Sequence, residues 1–448
     1  MKYFLYFFIV LATIQLVAQT PQQSYFEWTE LPFSKEELAQ RRSNFVSELQ
    51  TQNKQGLVII PAKDGFSYGE TFRQLDDFYY FTGLELSNAI LAIEVPSGNT
   101  MVFTPEMDKR FHSASRPNDF PGRPLLNDSE IASQSGLTLK NIEEFSTYIT
   151  SKTSEIIIIN NGRQGEIRFA SDDYITTYSP IQVLMNALKS KHNISTFENS
   201  YNAIANVRMI KSEAEIAIMR KASKITVESI IEASKSIRSG IDERYLEGVL
   251  EGHYKKLGAE RLAFGSIIKS GPNSLWPWRI LATHYNRRNR MMENGDLVIF
   301  DVGCEYNNYV SDIGRTFPVS GKFTPRQYEI LTMEVSIADQ IIDYLKPGIT
   351  FQDIRTLTDK IIPENAKQYM QVGLFFGHHL GLSTGDPDLP EAVLKPGMVF
   401  TVEPWYYNHD EQISVFTEDV ILITEDGCEV LSKNLPRDPV DLERIMRQ

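Results

Sequence analysis

The sequence predicts two unlike domains, an α/β domain over residues 22–200 and an α+β domain over residues 206–448. Three observations carry this. In the first half, short apolar runs of strand length alternate with helix-capping signals. In the second half, two long capped helices precede pairs of apolar runs that look antiparallel. The chain is also long enough, at 448 residues and 42% hydrophobic, for two or three domains with ample cores.

Residues 1–19 read as a secretory signal peptide: Lys2 is the charged start, residues 4–17 are mostly apolar, and Ala18 is a small residue ahead of cleavage. No cysteine follows to carry a lipid, so the mature protein is expected to be exported, periplasmic or secreted, with no membrane attachment. Ser34 with Glu37 three residues on is a capping-box signal for a helix over 34–53. Residues 57–61, 88–95, 100–104 and 155–160 read as strands. The stretch 110–123 is a polar, Pro-containing loop. Near residues 202–211 the chain crosses into the second domain. Ser212 and Glu215 open a helix over 213–237, and a second helix runs over 242–257 to Gly258. Further helices are expected over 325–345 and 351–370.

The net charge is −13, from 45 basic and 58 acidic residues, which argues against nucleic acid and anionic membrane surfaces as partners. Two cysteines, Cys304 and Cys428, are too few for a disulfide framework and read as small buried hydrophobes.

The chemistry gathers around Asp301 and Asp312. The run Asp296-Leu297-Val298-Ile299-Phe300 is a strand signal ending at Asp301, and Asp312 opens the next strand, residues 313–319. Asp at a strand end is also ordinary turn chemistry. If the strands pair, both carboxylates enter one cavity, where one must protonate or a cation must lie between them. Three later stretches add donors: Gly377-His378-His379-Leu380-Gly381, Val399-Phe400-Thr401-Val402-Glu403-Pro404, and Phe416-Thr417-Glu418-Asp419-Val420, where Glu418 falls in an apolar strand. A charge in an apolar strand is costly unless paired or metal-bound. Asp301, Asp312, His378, Glu403 and Glu418 together offer four carboxylates and one imidazole, which suits two divalent cations. Oxygen-rich donors favour Mn²⁺, with Zn²⁺ or Co²⁺ also able to occupy the set. His379 is expected to pack or to face the surface and not to ligate, because neighbouring side chains on a strand face opposite sides.

The ordered set Asp301, Asp312, His378, Glu403, Glu418 in these contexts resembles the M24 metallopeptidases of the pita-bread (creatinase/aminopeptidase) fold, and within them aminopeptidase P. The segment Thr71-Phe72-Arg73-Gln74-Leu75-Asp76-Asp77-Phe78-Tyr79-Tyr80-Phe81-Thr82-Gly83 is similar to that family's N-terminal motif. The resemblance implies that Asp312 and Glu418 bridge two metals, that Asp301 completes one, and that His378 and Glu403 complete the other. It further implies that Glu403 is the catalytic base and that His284 hydrogen-bonds substrate. The implied reaction is attack by a metal-bridging hydroxide that releases the N-terminal residue from peptides with proline second. The implied assembly is a homo-oligomer, dimer or tetramer.

The chain departs from the family pattern at the substrate side. Gly385 stands where a second His is expected seven positions after His378, Phe416 where an Arg is common, and Leu374 where another His often lies. An added stretch, Pro272-Asn273-Ser274-Leu275-Trp276-Pro277-Trp278-Arg279-Ile280, brings Trp276, Trp278 and an Arg near the expected pocket, as a substrate wall or as a plug between domains. Two other readings therefore stay open: a prolidase-like or specificity-shifted hydrolase, and a metal-stabilised binding protein without catalysis.

Overall fold

Alternation along one strand builds the first layer structure. The computed structural model describes residues 31–65, 71–105, 129–152, 155–163, 179–275, 289–370 and 377–447. Strand β1 (Gly56–Pro61) lies between β2 (Ile90–Val95), antiparallel, and β5 (Ile157–Ile159), parallel. The sheet is completed by β3 (Thr100–Thr104) and β4 (Thr138–Asn141) on one side and β6 (Phe197–Asn199) on the other, in the order β4-β3-β2-β1-β5-β6. Successive side chains of a strand face opposite ways. Val58 and Ile60 accordingly join the core with Leu38 and Phe45 of α1 (Lys35–Thr51), whereas Leu57 and Ile59 pack with Phe103, Ile149, Leu184 and Leu188. Helices α2 (Asp76–Thr82), α3 (Ser129–Ser135), α4 (Phe145–Ser151) and α5 (Pro180–His192) complete this α/β unit.

The Ser34 cap is half of the expected box. Ser34 Oγ accepts the Glu37 N–H at 3.2 Å, while the Glu37 carboxylate is taken by Arg41 and by Ser212 Oγ at 2.6 Å. A long-range partner wins over the local one, and it ties α1 to the start of the next unit. Helix α6 (Tyr201–Met209) leads into α7 (Glu213–Ser234), whose Ser212–Glu215 capping box is complete, and α8 (Glu243–Lys256) packs beside it.

The second unit follows as short antiparallel sheets: β7 (Arg261–Leu262), β8 (Ile267–Ser270), β9 (Leu297–Val302), β10 (Cys304–Tyr306), β11 (Tyr309–Val310) and β12 (Ile313–Pro318), then β13 (Val399–Val402), β14 (Trp405–Asn408), β15 (Ile413–Phe416), β16 (Asp419–Ile423) and β17 (Cys428–Val430). Helices α9 (Pro325–Tyr344), α10 (Phe351–Ile361) and α11 (Pro439–Ile445) flank them. Helix α10 is shorter than the sequence predicts. Pro363 disfavours helical geometry at the residue before it, and Ile362 is extended, so only a 3₁₀ turn (Lys367–Tyr369) follows.

Two half-sheets, β12-β9-β8 and β13-β16-β17, meet at one antiparallel bridge between Gly314 and Glu418, with N–H···O distances of 3.2 and 3.0 Å. Glu418 is therefore at the junction between β15 and β16, outside the strand where the sequence predicts it. Gly314 is required there: a Cβ would lie 2.2 Å from the Phe416 ring and 3.0 Å from Glu418 Cβ. Among the described residues no helix is long and apolar enough to cross a membrane.

Candidate metal centre

The junction places the acidic residues. β9 and β12 pair with Val302 opposite Ile313 and Asp301 opposite Gly314, so the two ends bearing Asp301 and Asp312 lie together, as the strand signals predict. Glu403 follows β13, which pairs with β16 just beyond Glu418. His378 is anchored to β13: the Thr401 N–H donates to the His378 carbonyl at 3.0 Å and the His378 N–H donates to Thr401 Oγ1 at 3.2 Å. Thr401 Oγ1 in turn donates to Glu403 Oε1 at 3.4 Å. One hydroxyl thus fixes the spacing of a neutral donor and a carboxylate.

These elements converge. Ligand atoms of Asp312, His378 and Glu418 all lie within 4.8 Å of one another. His378 Nε2 is 3.5 Å from Asp312 Oδ2 and 4.0 Å from Glu403 Oε1. The four carboxylates are buried, while about a third of the His378 side chain is exposed among the described residues. Burial lifts the Asp301 pKa from 3.8 to about 7. Burial, then the charge of Asp301, raises Asp312 and Glu403 well above the carboxylate range. Glu418 is raised by burial and by Asp312, Glu403 and Asp301. Burial lowers His378, which keeps the imidazole neutral and able to coordinate.

Repulsion among four buried carboxylates is what a cation relieves. The donor set fits a pair of divalent ions on structural grounds. Asp312 Oδ1, Glu418 Oε2 and His378 Nδ1 are among the buried side-chain atoms with no hydrogen-bond partner among the described residues, and these three lie on the converging donor set. The space beside Glu403 also depends on a glycine. Gly377 has a φ of +61°, and a Cβ there would sit 2.4 Å from Glu403 Oε1.

His379 packs, as expected. It is buried between Phe351 and Phe400, with ring centroids 5.3 and 5.9 Å away, and burial holds its pKa near 3. His284, Trp276 and Trp278 lie outside the described residues, as do Leu374, the 110–123 loop and the leader. Phe416, at the position where Arg is common, stacks on Trp405 at 4.0 Å and packs with Ile299. Ile299 shares its face of β9 with Asp301, so an apolar cluster adjoins the acidic one.

Sequence reasoning missed two supports. Thr401 gave no signal, being one more β-branched residue in a buried strand. Arg315 did give one, since it is a charge in a buried strand. Its guanidinium donates to the Glu418 carbonyl at 2.7 Å, the Gly314 carbonyl at 2.6 Å and Asp419 Oδ1 at 2.7 Å, so it clamps both sides of the half-sheet junction.

The comparisons with known proteins agree with this architecture. Residues 217–425 match the model for metallopeptidase family M24, and residues 38–112 match the aminopeptidase P N-terminal domain. The chain is 28% identical to the Xaa-Pro aminopeptidase of Escherichia coli (strain K12), covering 92% of this chain and 98% of that protein. It is 35% identical over 254 residues to the Xaa-Pro dipeptidase of Pyrococcus horikoshii, covering 55% of this chain and 69% of that one. The structure of Zn-substituted E. coli aminopeptidase P in complex with product superposes with a TM-score of 0.74 at 25% identity, covering 92% and 98% of the two chains. A family match over the catalytic strands, another over the first sheet, and likeness to aminopeptidase P along nearly the whole length mean that this chain belongs to metallopeptidase family M24, as an aminopeptidase P-like hydrolase with an N-terminal domain ahead of a pita-bread catalytic domain.

Proposed function

We propose that the protein is an exported, dinuclear metal-dependent aminopeptidase that releases the N-terminal residue from peptides with proline in the second position. The convergence of four buried carboxylates and one neutral imidazole at the half-sheet junction carries this reading. Asp312 and Glu418 would hold both ions, Asp301 one, and His378 and Glu403 the other, with Mn²⁺ best suited to the oxygen-rich set. Bound there, the ions would supply Lewis acidity toward water and the scissile carbonyl. The residues supply the rest. Glu403 Oε1, steadied by Thr401, accepts a proton from the attacking water and delivers it to the leaving proline nitrogen. The free amine of the substrate sits against the acidic set, which selects an N-terminus over an internal peptide. His284 would donate to substrate. Export rests on Lys2, the apolar stretch at 4–17 and Ala18. The domain limits we adopt are 22–200 and 206–448.

A second reading, a dipeptidase of the prolidase kind, has a specific observation behind it: over the 254 residues that match, 55% of this chain, identity to the dipeptidase is 35%. The deciding experiment is hydrolysis by metal-free protein reloaded with Mn²⁺, Co²⁺ or Zn²⁺, on Xaa-Pro dipeptides, Xaa-Pro-Yaa tripeptides and proline-free controls. Metal-dependent release of the first residue from tripeptides is expected. Cleavage of dipeptides alone would establish the second reading, and metal binding with no turnover would make the protein a binder.

Gly385 has its own test. A Cβ there meets nothing within 4 Å, so a larger side chain has room. If the position still borders substrate, Gly385→His adds a hydrogen-bond donor, and one such donor is worth about 10²–10³ in rate. The expected outcome is a rise in kcat on Xaa-Pro-Yaa with no change in Tm. An unchanged kcat would show that this chain positions substrate without that donor.

A further inference from the structure

We propose that Arg208 and Asp386 are positioning residues that hold the His378 loop in its ligating geometry from the domain boundary. This rests on the assignment of His378 as a metal ligand. After His378 the chain leaves β13, with the Leu380 N–H donating to the Val399 carbonyl at 3.0 Å, and then turns back on itself. The turn closes around one carboxylate. The Asp386 N–H donates to the His379 carbonyl at 3.3 Å, and Asp386 Oδ1 accepts the Leu382 N–H at 3.2 Å. The loop therefore has Asp386 as its hub, with His378 at its root.

That carboxylate is buried and has two cationic partners, both from the segment joining the domains. Arg208 of α6 bonds Oδ1, and Lys211 Nζ bonds Oδ2 at 3.1 Å. Arg208 is held in turn by the first turn of α2, through Asp77 at 2.8 Å and Asp76 at 3.2 Å. Arg73 works in parallel. It pairs with Asp76 at 2.7 Å and Glu305 at 2.6 Å, and its other nitrogen donates to the Leu382 carbonyl. Leu382 thus has its N–H held by Asp386 and its C=O held by Arg73. Burial by itself would raise the Asp386 pKa, but Arg208 and Lys211 outweigh it and keep the carboxylate ionised.

No member of this cluster belongs to the acidic set at the junction, and its partners come from the start of α2 and Arg73 just before it, from α6 and Lys211 just after it, and from β10. Leu382 is buried, so its backbone groups need partners, and here both partners belong to the charged cluster at the domain boundary. The geometry links the N-terminal domain to the catalytic one through charge, and the loop it grips carries His378. Outer groups that orient a ligand typically change metal affinity or activity by about 10–100-fold when lost.

The test is Asp386→Asn in the full chain. Mn²⁺ titration of the metal-free protein is read by calorimetry and kinetics are read on Xaa-Pro-Yaa, with Tm as control. The expected result is a folded protein in which one of two Mn²⁺ sites is weakened about 10–100-fold and kcat falls while KM stays within about threefold. Arg208→Lys, which keeps the charge, should recover part of the affinity and Arg208→Met none. A lowered Tm with both Mn²⁺ affinities unchanged would overturn the proposal and leave the cluster a purely structural staple. Should Asp386→Asn not fold, Lys211→Met, which removes one of the two cations, decides by the same affinity readout. The Mn²⁺ titration separates this inference from the proposed activity, because a wild-type protein that cleaves no peptide still reports whether Asp386 governs one metal site.

Discussion

Glu403→Gln is expected to lower peptide hydrolysis by about 10²–10⁴-fold, the usual contribution of a positioned general base. The substitution keeps the shape of the side chain and an oxygen donor but removes the basic site. Thr401 Oγ1, 3.4 Å from Glu403 Oε1, can still hydrogen-bond the amide, so the side chain has reason to stay in place. The expected signature is a loss in kcat with the metal content retained at a raised metal concentration. Steady-state kinetics on an Xaa-Pro-Yaa tripeptide, with bound metal quantified on the same sample, measures both. Activity within tenfold of wild type would remove Glu403 from the role of base and leave it a ligand only.

The second large effect is a reversal of pH dependence on chelation. In the metal-free protein, Asp301 has its pKa lifted from 3.8 to about 7, and Asp312, Glu403 and Glu418 are raised as well. Between pH 4 and 7 the unfolded chain has already released these protons while the folded protein keeps them, so stability falls as pH rises. Below pH 4 both states are protonated and the penalty is absent. The four carboxylates titrate as one interacting set, so their shifts act in the same direction across that window. Bound divalent cations favour the ionised forms, so metal binding strengthens as pH rises. The metal-free protein is therefore expected to have a Tm that declines from pH 5 to 8, and the Tm gain on adding Mn²⁺ is expected to grow over the same range. Thermal denaturation with and without chelator across that range checks both. A metal-free Tm that rises steadily with pH would contradict a shared, unpaired acidic cavity.

The two effects are linked through burial. Catalysis by a carboxylate base and the need for a cation follow from the same removal of water around Glu403. The same burial explains why the neighbouring apolar cluster of Trp405, Phe416 and Ile299 is tolerated. Phe416 brings no charge to this side of the acidic set, and Arg315, which pairs with Asp419 beside Glu418, is committed to backbone carbonyls and that carboxylate.

Much was legible in the residues themselves. Local rules suffice for elements whose signals lie within a few residues: the caps at Ser34 and Ser212, and the strand ending at Asp301. An isolated acidic residue in an apolar strand is costly enough to mark itself, which is why Glu403 and Glu418 stood out. Tertiary structure alone decided what depends on chain segments meeting. Glu37 left its own cap for Arg41 one turn on and for Ser212, and the contact to Ser212, 175 residues away, is invisible to any local pattern. Glu418 lies at a junction between half-sheets because Gly314, about a hundred residues earlier, admits its backbone. Thr401 and Asp386 look unremarkable in sequence and become supports only when His378 and Arg208 arrive beside them. The physical reason is common to all four: hydrogen bonds and ion pairs take their worth from the partner and its burial, and both are properties of the folded chain.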